Sequence, residues 1–158
     1  MGIEIERKFL VNKDIFNKEG LVKTRIVQGF LNSNKARVVR VRITGDKGYL
    51  TIKGASDAAG LRRYEWEQEI DLKDAEALLR LSEPGKIEKN RYHYTLGKHL
   101  FEIDEFLNEN EGLLLAEVEL NDENEVFERP IWLGEEVTGI TKYYNSELSN
   151  LPYRLWQK

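Results

Sequence analysis

The sequence contains no cysteine, which excludes disulfides, thiol nucleophiles and thiolate metal sites together. It also has no long apolar run, so neither a signal peptide nor a membrane-spanning segment is predicted. Basic residues are not in excess, since the formal net charge is -4 at pH 7. Nucleic acids and anionic membranes normally bind basic surfaces, so neither is an expected partner. These absences favour a soluble, unprocessed cytoplasmic protein.

Repeats, linkers and low-complexity tracts are absent as well. The chain has 158 residues, of which 41% are apolar, enough to bury a sizeable core. We therefore expect a single domain over residues 1–158. The two histidines, His93 and His99, lack a second histidine at ligand spacing in their own segments, so we expect both at the surface.

What the sequence does contain is a charged residue at every second position of several predicted strands. In the first strand, Glu4, Glu6 and Lys8 point to one side while Ile5 and Phe9 point to the other. The same alternation returns in residues 36–44, 49–53, 63–70, 87–94, 100–106 and 113–120. This pattern predicts a mainly β (α+β) protein with about eight antiparallel strands and helices around them.

The connecting segments divide into turns and short helices. Gly45 to Gly48 reads as a hairpin turn, and the best helix opens at Asp71 or Lys73 and stops at Pro84-Gly85. A short helix is predicted from the apolar spacing of residues 141–148. Residues 12–20 fit a short helix or a loop, residues 121–127 the start of a short helix, and residues 130–134 a loop anchored by an aromatic side chain.

Alternation alone does not decide which face of a closed sheet lies inside. Base rates for antiparallel sheets favour an apolar interior and a solvated charged exterior. The segregation of charge by sign favours the reverse, because a face designed for solubility gains by mixing signs. A metal-bridged polyphosphate would suit separate clusters of cations and carboxylates. Like-charged pairs occur at Arg40 and Arg42, Lys89 and Arg91, Glu65 and Glu67, and Glu117 and Glu119.

A series of short motifs resembles the CYTH superfamily, also called the triphosphate tunnel metalloenzymes. The first is Glu4-Ile5-Glu6-Arg7-Lys8. The others follow at residues 28–31, 40–42, 50–53, 63–67, 88–92, 101–104, 116–119, 132–138 and 142–145. The resemblance implies a closed antiparallel eight-stranded β-barrel tunnel with a charged interior and helices packed outside.

The resemblance also implies a set of site residues. The metal, Mg²⁺ or Mn²⁺, is expected at Glu4, Glu6, Asp104, Glu117 and Glu119. The triphosphate is expected to bind Lys8, Arg40, Arg42, Lys53, Arg63, Lys89, Arg91 and Lys142. The residues expected to act in catalysis are Lys8, Arg40, Arg42, Glu65 and Glu67. Many relatives have tyrosine where this chain has Phe30, so a role for that hydroxyl cannot operate here.

The implied activity is metal-dependent hydrolysis of a small triphosphate, foremost inorganic tripolyphosphate to diphosphate and phosphate. One metal would neutralise phosphate oxygens and a second would activate water. Three alternatives remain open: a class IV-type adenylate cyclase, a thiamine triphosphatase and a non-catalytic polyphosphate-binding module. Thiamine triphosphate would call for an aromatic platform such as Trp66 or Tyr92, although outer-face packing is the more ordinary role of each. The protein is expected to be a monomer or a homodimer.

Overall fold

Nine strands and two α-helices form the part of the chain that the computed structural model describes, residues 2–156. The strands are β1 (Gly2–Val11), β2 (Val22–Asn32), β3 (Arg37–Thr44), β4 (Lys47–Gly54), β5 (Arg62–Ile70), β6 (Ile87–Leu96), β7 (His99–Phe106), β8 (Leu114–Leu120) and β9 (Leu133–Glu136). The helices are α1 (Leu72–Leu81) and α2 (Asn145–Asn150). Neither of these helices is long and apolar enough to cross a bilayer.

The first eight strands close into a barrel. Their order is β5-β4-β3-β2-β6-β7-β8-β1, every neighbouring pair is antiparallel, and β1 closes the ring by pairing with β5. The predicted eight-stranded antiparallel barrel is confirmed. β9 adds to the other end of β1, where Phe9 pairs with Glu136. This short strand lies in part of a segment that the sequence pattern assigned to a loop.

Helix α1 covers the outer face of β2, β3 and β4. It begins after Asp71, as predicted, and buries Ala75 and Leu79 against Val41 of β3. The helix comes so close to β4 that a Cβ on Gly48 would stand 2.5 Å from the Cβ of Ala75. Glycine at that position is therefore what permits the close approach of helix and strand.

Two irregular segments cover the outer face of β1, β7 and β8. Phe127 and Trp132 pack there with Phe101, and Phe16 contacts the edge of Trp132. Residues 12–20 and 121–127 form turns and irregular backbone, so the short helix anticipated in the second segment is wrong. In that segment the side chain of Asp122 accepts a hydrogen bond from the backbone N–H of Asn124, a local bond that favours a turn over a helix.

Apolar side chains fill one end of the barrel interior. Leu148 of α2 packs there in one cluster with Phe30, Ile87, Phe106 and Leu115. Ile87, Phe106 and Leu115 have the same parity as the inward charged residues of their own strands. Phe30 lines the cavity, although the charged residues of β2, Lys23 and Arg25, have the opposite parity. The inward face is therefore not charged throughout. The rest of that face carries the charges, which confirms the charged-interior alternative.

Candidate active site

The charged rows of the barrel strands surround an internal cavity of about 250 Å³. Its lining includes thirteen of the fifteen residues that the sequence proposed for the site. They are Glu4, Glu6, Lys8, Arg40, Arg42, Lys53, Arg63, Glu65, Glu67, Lys89, Arg91, Glu117 and Glu119. Asp104 and Lys142 do not line it.

The strand register sets opposite charges against each other across the cavity wall. Glu4 lies opposite Arg63 where β1 meets β5, and Lys8 lies opposite Glu117 where β1 meets β8. Side chains directly opposite in antiparallel strands have Cβ atoms about 5 Å apart. Lys8 and Arg63 thus each face a carboxylate before any ligand binds, whereas Glu6 faces the like-charged Glu119.

Arg40 and Arg42 line the cavity and share a single carboxylate, that of Glu67. One guanidinium nitrogen of each lies 3.4 Å from the same Glu67 oxygen, and the Thr51 hydroxyl donates to Glu67 at 2.7 Å. The Nε atoms of both arginines are buried without a hydrogen-bond partner in residues 2–156. Burial, then the charge of Arg42, lowers the pKa of Arg40 to about 9 despite Glu67. A single carboxylate leaves this pair short of negative charge, so a phosphate oxygen would satisfy it.

Beneath the cavity, Asp104 holds two further cations in place. Its carboxylate accepts hydrogen bonds from Arg91 Nε at 2.7 Å and Nη2 at 2.9 Å, and from Lys89 Nζ at 2.8 Å. Both oxygens are occupied and the side chain is 1% exposed. Asp104 therefore supports Lys89 and Arg91 outside the cavity lining, so the structure does not place it with the other acids that were expected to bind the metal.

Glu102 lines the cavity although the sequence reasoning did not assign it to the site. It lies on β7 two residues before Asp104 and 3.4 Å from an Arg91 nitrogen. The alternation did indicate that Glu102 points inward, because residues 102 and 104 lie on the same face of β7. Only the depth of each along the barrel separates a cavity-lining acid from a buried support.

One pair of carboxyl groups flanks Lys53. Glu4 and Glu65 share a hydrogen bond, and Lys53 Nζ lies 3.1 Å from Glu4 and 3.3 Å from Glu65. Burial alone would raise the pKa of Glu4, but the Glu65 hydrogen bond and Lys53 lower it to about 2. Burial and the Glu4 hydrogen bond raise the pKa of Glu65 to about 7. The pair thus retains a shared proton in mildly acidic solution.

A second pair joins β1 to β8. Glu6 and Glu117 share a hydrogen bond, and burial together with repulsion from Glu117 raises the pKa of Glu6 well above its usual range. Burial works against ionisation of Glu117 too, but Lys8 and the Glu6 hydrogen bond hold its pKa well below the usual range. Lys8 Nζ lies 4.0 Å from Glu117. The site therefore contains two proton-sharing carboxyl pairs.

These acids have the chemistry to hold a divalent cation. Within residues 2–156 no three carboxylate or imidazole groups already converge in a metal-binding arrangement, because the acids contact lysines and one another instead. A cation would replace the shared protons, since it competes for the same oxygens. The donors are carboxylate oxygens, which suit Mg²⁺ and Mn²⁺. Glu119, whose pKa is raised by burial and by Glu4, adds another acid to this wall.

The segment before α2 contributes residues other than the one predicted. Lys142 is exposed and lies over the Trp156 ring at 4.7 Å, so the structure does not bring it to the cavity. Tyr144 and Asn145 line the cavity instead. Lys8 Nζ lies 5.3 Å from the centroid of the Tyr144 ring. Sequence reasoning missed both residues because spacing alone does not reveal which way a short turn faces.

Comparison with known proteins identifies the family. The profile of the CYTH domain matches residues 2–152. An inorganic triphosphatase of Acetivibrio thermocellus is 47% identical over 156 residues, covering 98% of this chain and 97% of the relative. One from Nitrosomonas europaea is 37% identical over 92% of this chain and 96% of the relative. A solved crystal structure of an inorganic triphosphatase superposes with a TM-score of 0.65 at 35% identity, covering 92% of this chain and 93% of that one. The chain therefore belongs to the CYTH domain family.

Proposed function

We propose that the protein hydrolyses inorganic tripolyphosphate to diphosphate and phosphate inside the barrel. The observation that carries the proposal is the pair of half-buried arginines, Arg40 and Arg42, which line the cavity and whose buried Nε atoms have no hydrogen-bond partner among residues 2–156. The relatives named above as inorganic triphosphatases, of nearly equal length, support the same substrate. In the reaction, the oxygen of water forms a new P–O bond to a terminal phosphorus while the bridging P–O bond breaks. The released phosphate keeps the water oxygen, and the diphosphate leaves with the bridging oxygen, which can take up a proton from the water.

The cations are proposed to bind and orient the phosphate chain. Lys8, Arg40 and Arg42 would stabilise charge on the oxygens of the transferred group. Glu67 would act mainly by positioning the two arginines, which it already contacts. Glu65 contacts Lys53 and would position that lysine in addition to helping to hold the metal. The remaining substrate-binding residues in the proposal are Arg63, Lys89 and Arg91. Lys142 is left out because it is exposed outside the cavity.

The proposed holders of the metal are the acids of the β1, β5 and β8 wall. They are Glu4, Glu6, Glu65, Glu117 and Glu119. When bound, Mg²⁺ or Mn²⁺ would neutralise phosphate charge and make water a better nucleophile. Asp104 is left out because Lys89 and Arg91 occupy its oxygens. We place the activity in the cytoplasm, consistent with a chain free of cysteine, and in a monomer or homodimer.

The alternative substrates find less support in the cavity. Tyr92 packs in the outer core with Phe16, and Trp66 pairs with Ile52 on the outer face of the barrel. Neither residue lines the cavity, so neither is a platform for thiamine. Tyr144 does line the cavity, but the cations of Lys8 and Arg63 lie over its ring, 5.3 and 5.8 Å from the centroid. The ring is therefore already in contact with two side chains and is less suited to stack with thiamine. A purely binding protein would not need the acids, because phosphate binding requires only cations.

The test is product analysis with purified protein and tripolyphosphate in the presence of Mg²⁺ or Mn²⁺. We expect equal amounts of phosphate and diphosphate, release that stops on addition of EDTA, and slower turnover of ATP and thiamine triphosphate. Formation of cyclic AMP from ATP at a higher rate would favour the cyclase. Absence of phosphate release with either metal would reject hydrolysis altogether.

The pH profile should depend on Lys89. Burial lowers the pKa of Lys89 to about 8; Arg91 acts in the same direction, whereas Asp104 and Glu117 oppose it. Raising the pH through 8 therefore converts the ammonium to a neutral amine that attracts phosphate less. We expect kcat/KM for tripolyphosphate to fall above about pH 8 in the wild type.

The comparison variant is Lys89→Arg, whose guanidinium remains charged throughout this range. Its decline should move to higher pH, while ionisation of the substrate affects both proteins alike. If kcat/KM of Lys89→Arg falls over the same pH range as that of the wild type, the fall is due to the titration of another group. Titration of the Lys89 side chain by its ¹³Cε shift gives the pKa directly and does not depend on how the variant folds.

A further inference from the structure

Asn145 connects the C-terminal segment to the floor of the cavity. It is the first residue of α2 and lines the cavity beside Tyr144. Its Oδ1 accepts two hydrogen bonds, from Gln28 Nε2 at 2.8 Å and from Lys89 Nζ at 2.8 Å. Gln28 is fully buried and Lys89 is 2% exposed, so the bonds are shielded from bulk water.

These contacts determine which way the Asn145 amide faces. An ammonium has donors only, so the Asn145 atom next to Lys89 is the oxygen. The Gln28 atom facing that oxygen is then its NH2 group, which leaves Gln28 Oε1 buried without a partner in residues 2–156. With its oxygen committed to two donors, the Asn145 NH2 group lies on the other side of the planar amide. No acceptor among the described residues receives a hydrogen bond from it.

We propose that Asn145 is a further substrate-contacting residue, whose NH2 group donates to a phosphate oxygen while its carbonyl holds the Lys89 ammonium toward the same anion. The inference rests on the proposed function and adds a neutral donor to a set of proposed substrate-binding residues that are otherwise all cations. The residue type matters, because an aspartate there would keep the bonds to Lys89 and Gln28 but set a negative charge against the phosphate.

The decisive variant is therefore Asn145→Asp, which is nearly isosteric. It keeps both accepting contacts and removes only the donor, adding a carboxylate. We expect KM for tripolyphosphate to rise by about 100-fold or more, because a lost hydrogen bond to a charged group accounts for about 10- to 100-fold and the new carboxylate also repels the phosphate. Binding of tripolyphosphate by calorimetry in EDTA should weaken by a similar factor, and kcat should change less than KM. The melting temperature should not fall, since Lys89 gains an anionic partner.

Asn145→Ala separates contact with substrate from a structural role. Alanine loses the donor and both accepting contacts but introduces no charge, so we expect a smaller rise in KM than for Asn145→Asp. If Asn145 only anchors α2 to the barrel, the order reverses: alanine is the more damaging change and aspartate is tolerated. That reversed order, or wild-type affinity in Asn145→Asp, overturns the inference.

The matched control is Asn150→Asp on the same helix. Asn150 is exposed and does not line the cavity, and among the described residues its side chain donates only to the backbone carbonyl of Ser146. It receives the same chemical change, so wild-type KM and affinity are expected. A wild-type protein that binds tripolyphosphate in EDTA but never hydrolyses it rejects the proposed function alone, and the order of affinities still tests Asn145. A wild type that does not bind it rejects both.

Discussion

Replacing Glu117 by glutamine is expected to lower metal-dependent phosphate release by at least about 100-fold, because a proposed direct ligand should matter no less than the groups behind it. Glu117 is the ionised member of its carboxyl pair. Burial disfavours its charge, but Lys8, the hydrogen bond from Glu6 and the nearby Arg91 keep its pKa well below the usual range. Glutamine keeps the size and removes the anion that a divalent cation requires.

Two binding measurements distinguish loss of metal from general damage. Calorimetry with Mn²⁺ alone should show weaker binding to Glu117→Gln than to the wild type. Tripolyphosphate binding in EDTA should be preserved or tightened, since one negative charge leaves the cavity. The control is Glu88→Gln, which removes a partly exposed carboxylate paired with Arg25 on the outside of the barrel and should retain full activity. Normal metal-dependent turnover by Glu117→Gln would remove this residue from the proposed metal set.

The inward charged rows could be predicted because alternate residues of a strand point to the same face, so an odd or even residue number is enough to assign a side chain to one face. Glu4, Glu6 and Lys8 share a face in any extended strand, and the structure brings all three to the cavity. Parity does not give depth. Glu102 and Asp104 have the same parity on β7, yet only Glu102 lines the cavity. Depth depends on the stagger between neighbouring strands, which a barrel sets globally and a single strand does not encode.

Depth also explains why the apolar end of the interior was not foreseen. Ile87 occupies an inward position of β6 in line with Lys89 and Arg91. Phe30 occupies an inward position of β2 in line with the polar Gln28, so the alternation does not mark either residue as part of an apolar end. They face Leu148 because α2 packs at that end, a contact between segments far apart in sequence. Sequence separation of this size leaves no local pattern to read.

Residues 141–148 show a second feature that could not be predicted from the sequence. Helical spacing predicted a helix in residues 141–148, but a 3-10 turn, Thr141–Tyr143, precedes a helix that starts at Asn145. The change of backbone geometry alters which side chains face inward, because the two helix types differ in residues per turn. Tyr144 and Asn145 reach the cavity, whereas Lys142 lies over Trp156.

Replacing Asp104 by alanine is expected to destabilise the protein by about 3–5 kcal/mol, the typical cost of removing one partner from a buried ion pair. Lys89 and Asp104 are 2% and 1% exposed, and Arg91 donates to the same carboxylate through two nitrogens. Alanine would leave two buried cations without their partner. The free energy of unfolding, from urea titrations at pH 7, measures the loss.

The pH dependence of that stability has a defined sign. Burial would raise the pKa of Asp104, but Arg91 and Lys89 lower it below the ordinary value. A carboxyl with a lowered pKa in the folded state stabilises the protein above its unfolded pKa of about 3.9, and this contribution is lost as the pH falls below it. The gap in stability between the wild type and Asp104→Ala should therefore be complete at pH 7 and shrink below about pH 4.

The neighbouring Glu105 provides the matched control on the same strand. Its ion pair with Lys18, at 2.8 Å, lies on the outer face, where both side chains reach solvent. Such pairs contribute about 0–1 kcal/mol because water screens them and the side chains lose freedom. Glu105 also accepts hydrogen bonds from Asn90 at 3.3 Å and from the Tyr92 hydroxyl at 3.2 Å, so Glu105→Ala should lower the urea midpoint modestly, while Asp104→Ala unfolds far below it. Equal midpoints for the two variants would mean that Lys89 and Arg91 find other partners or water, and Asp104 would then not be the support of the cationic floor.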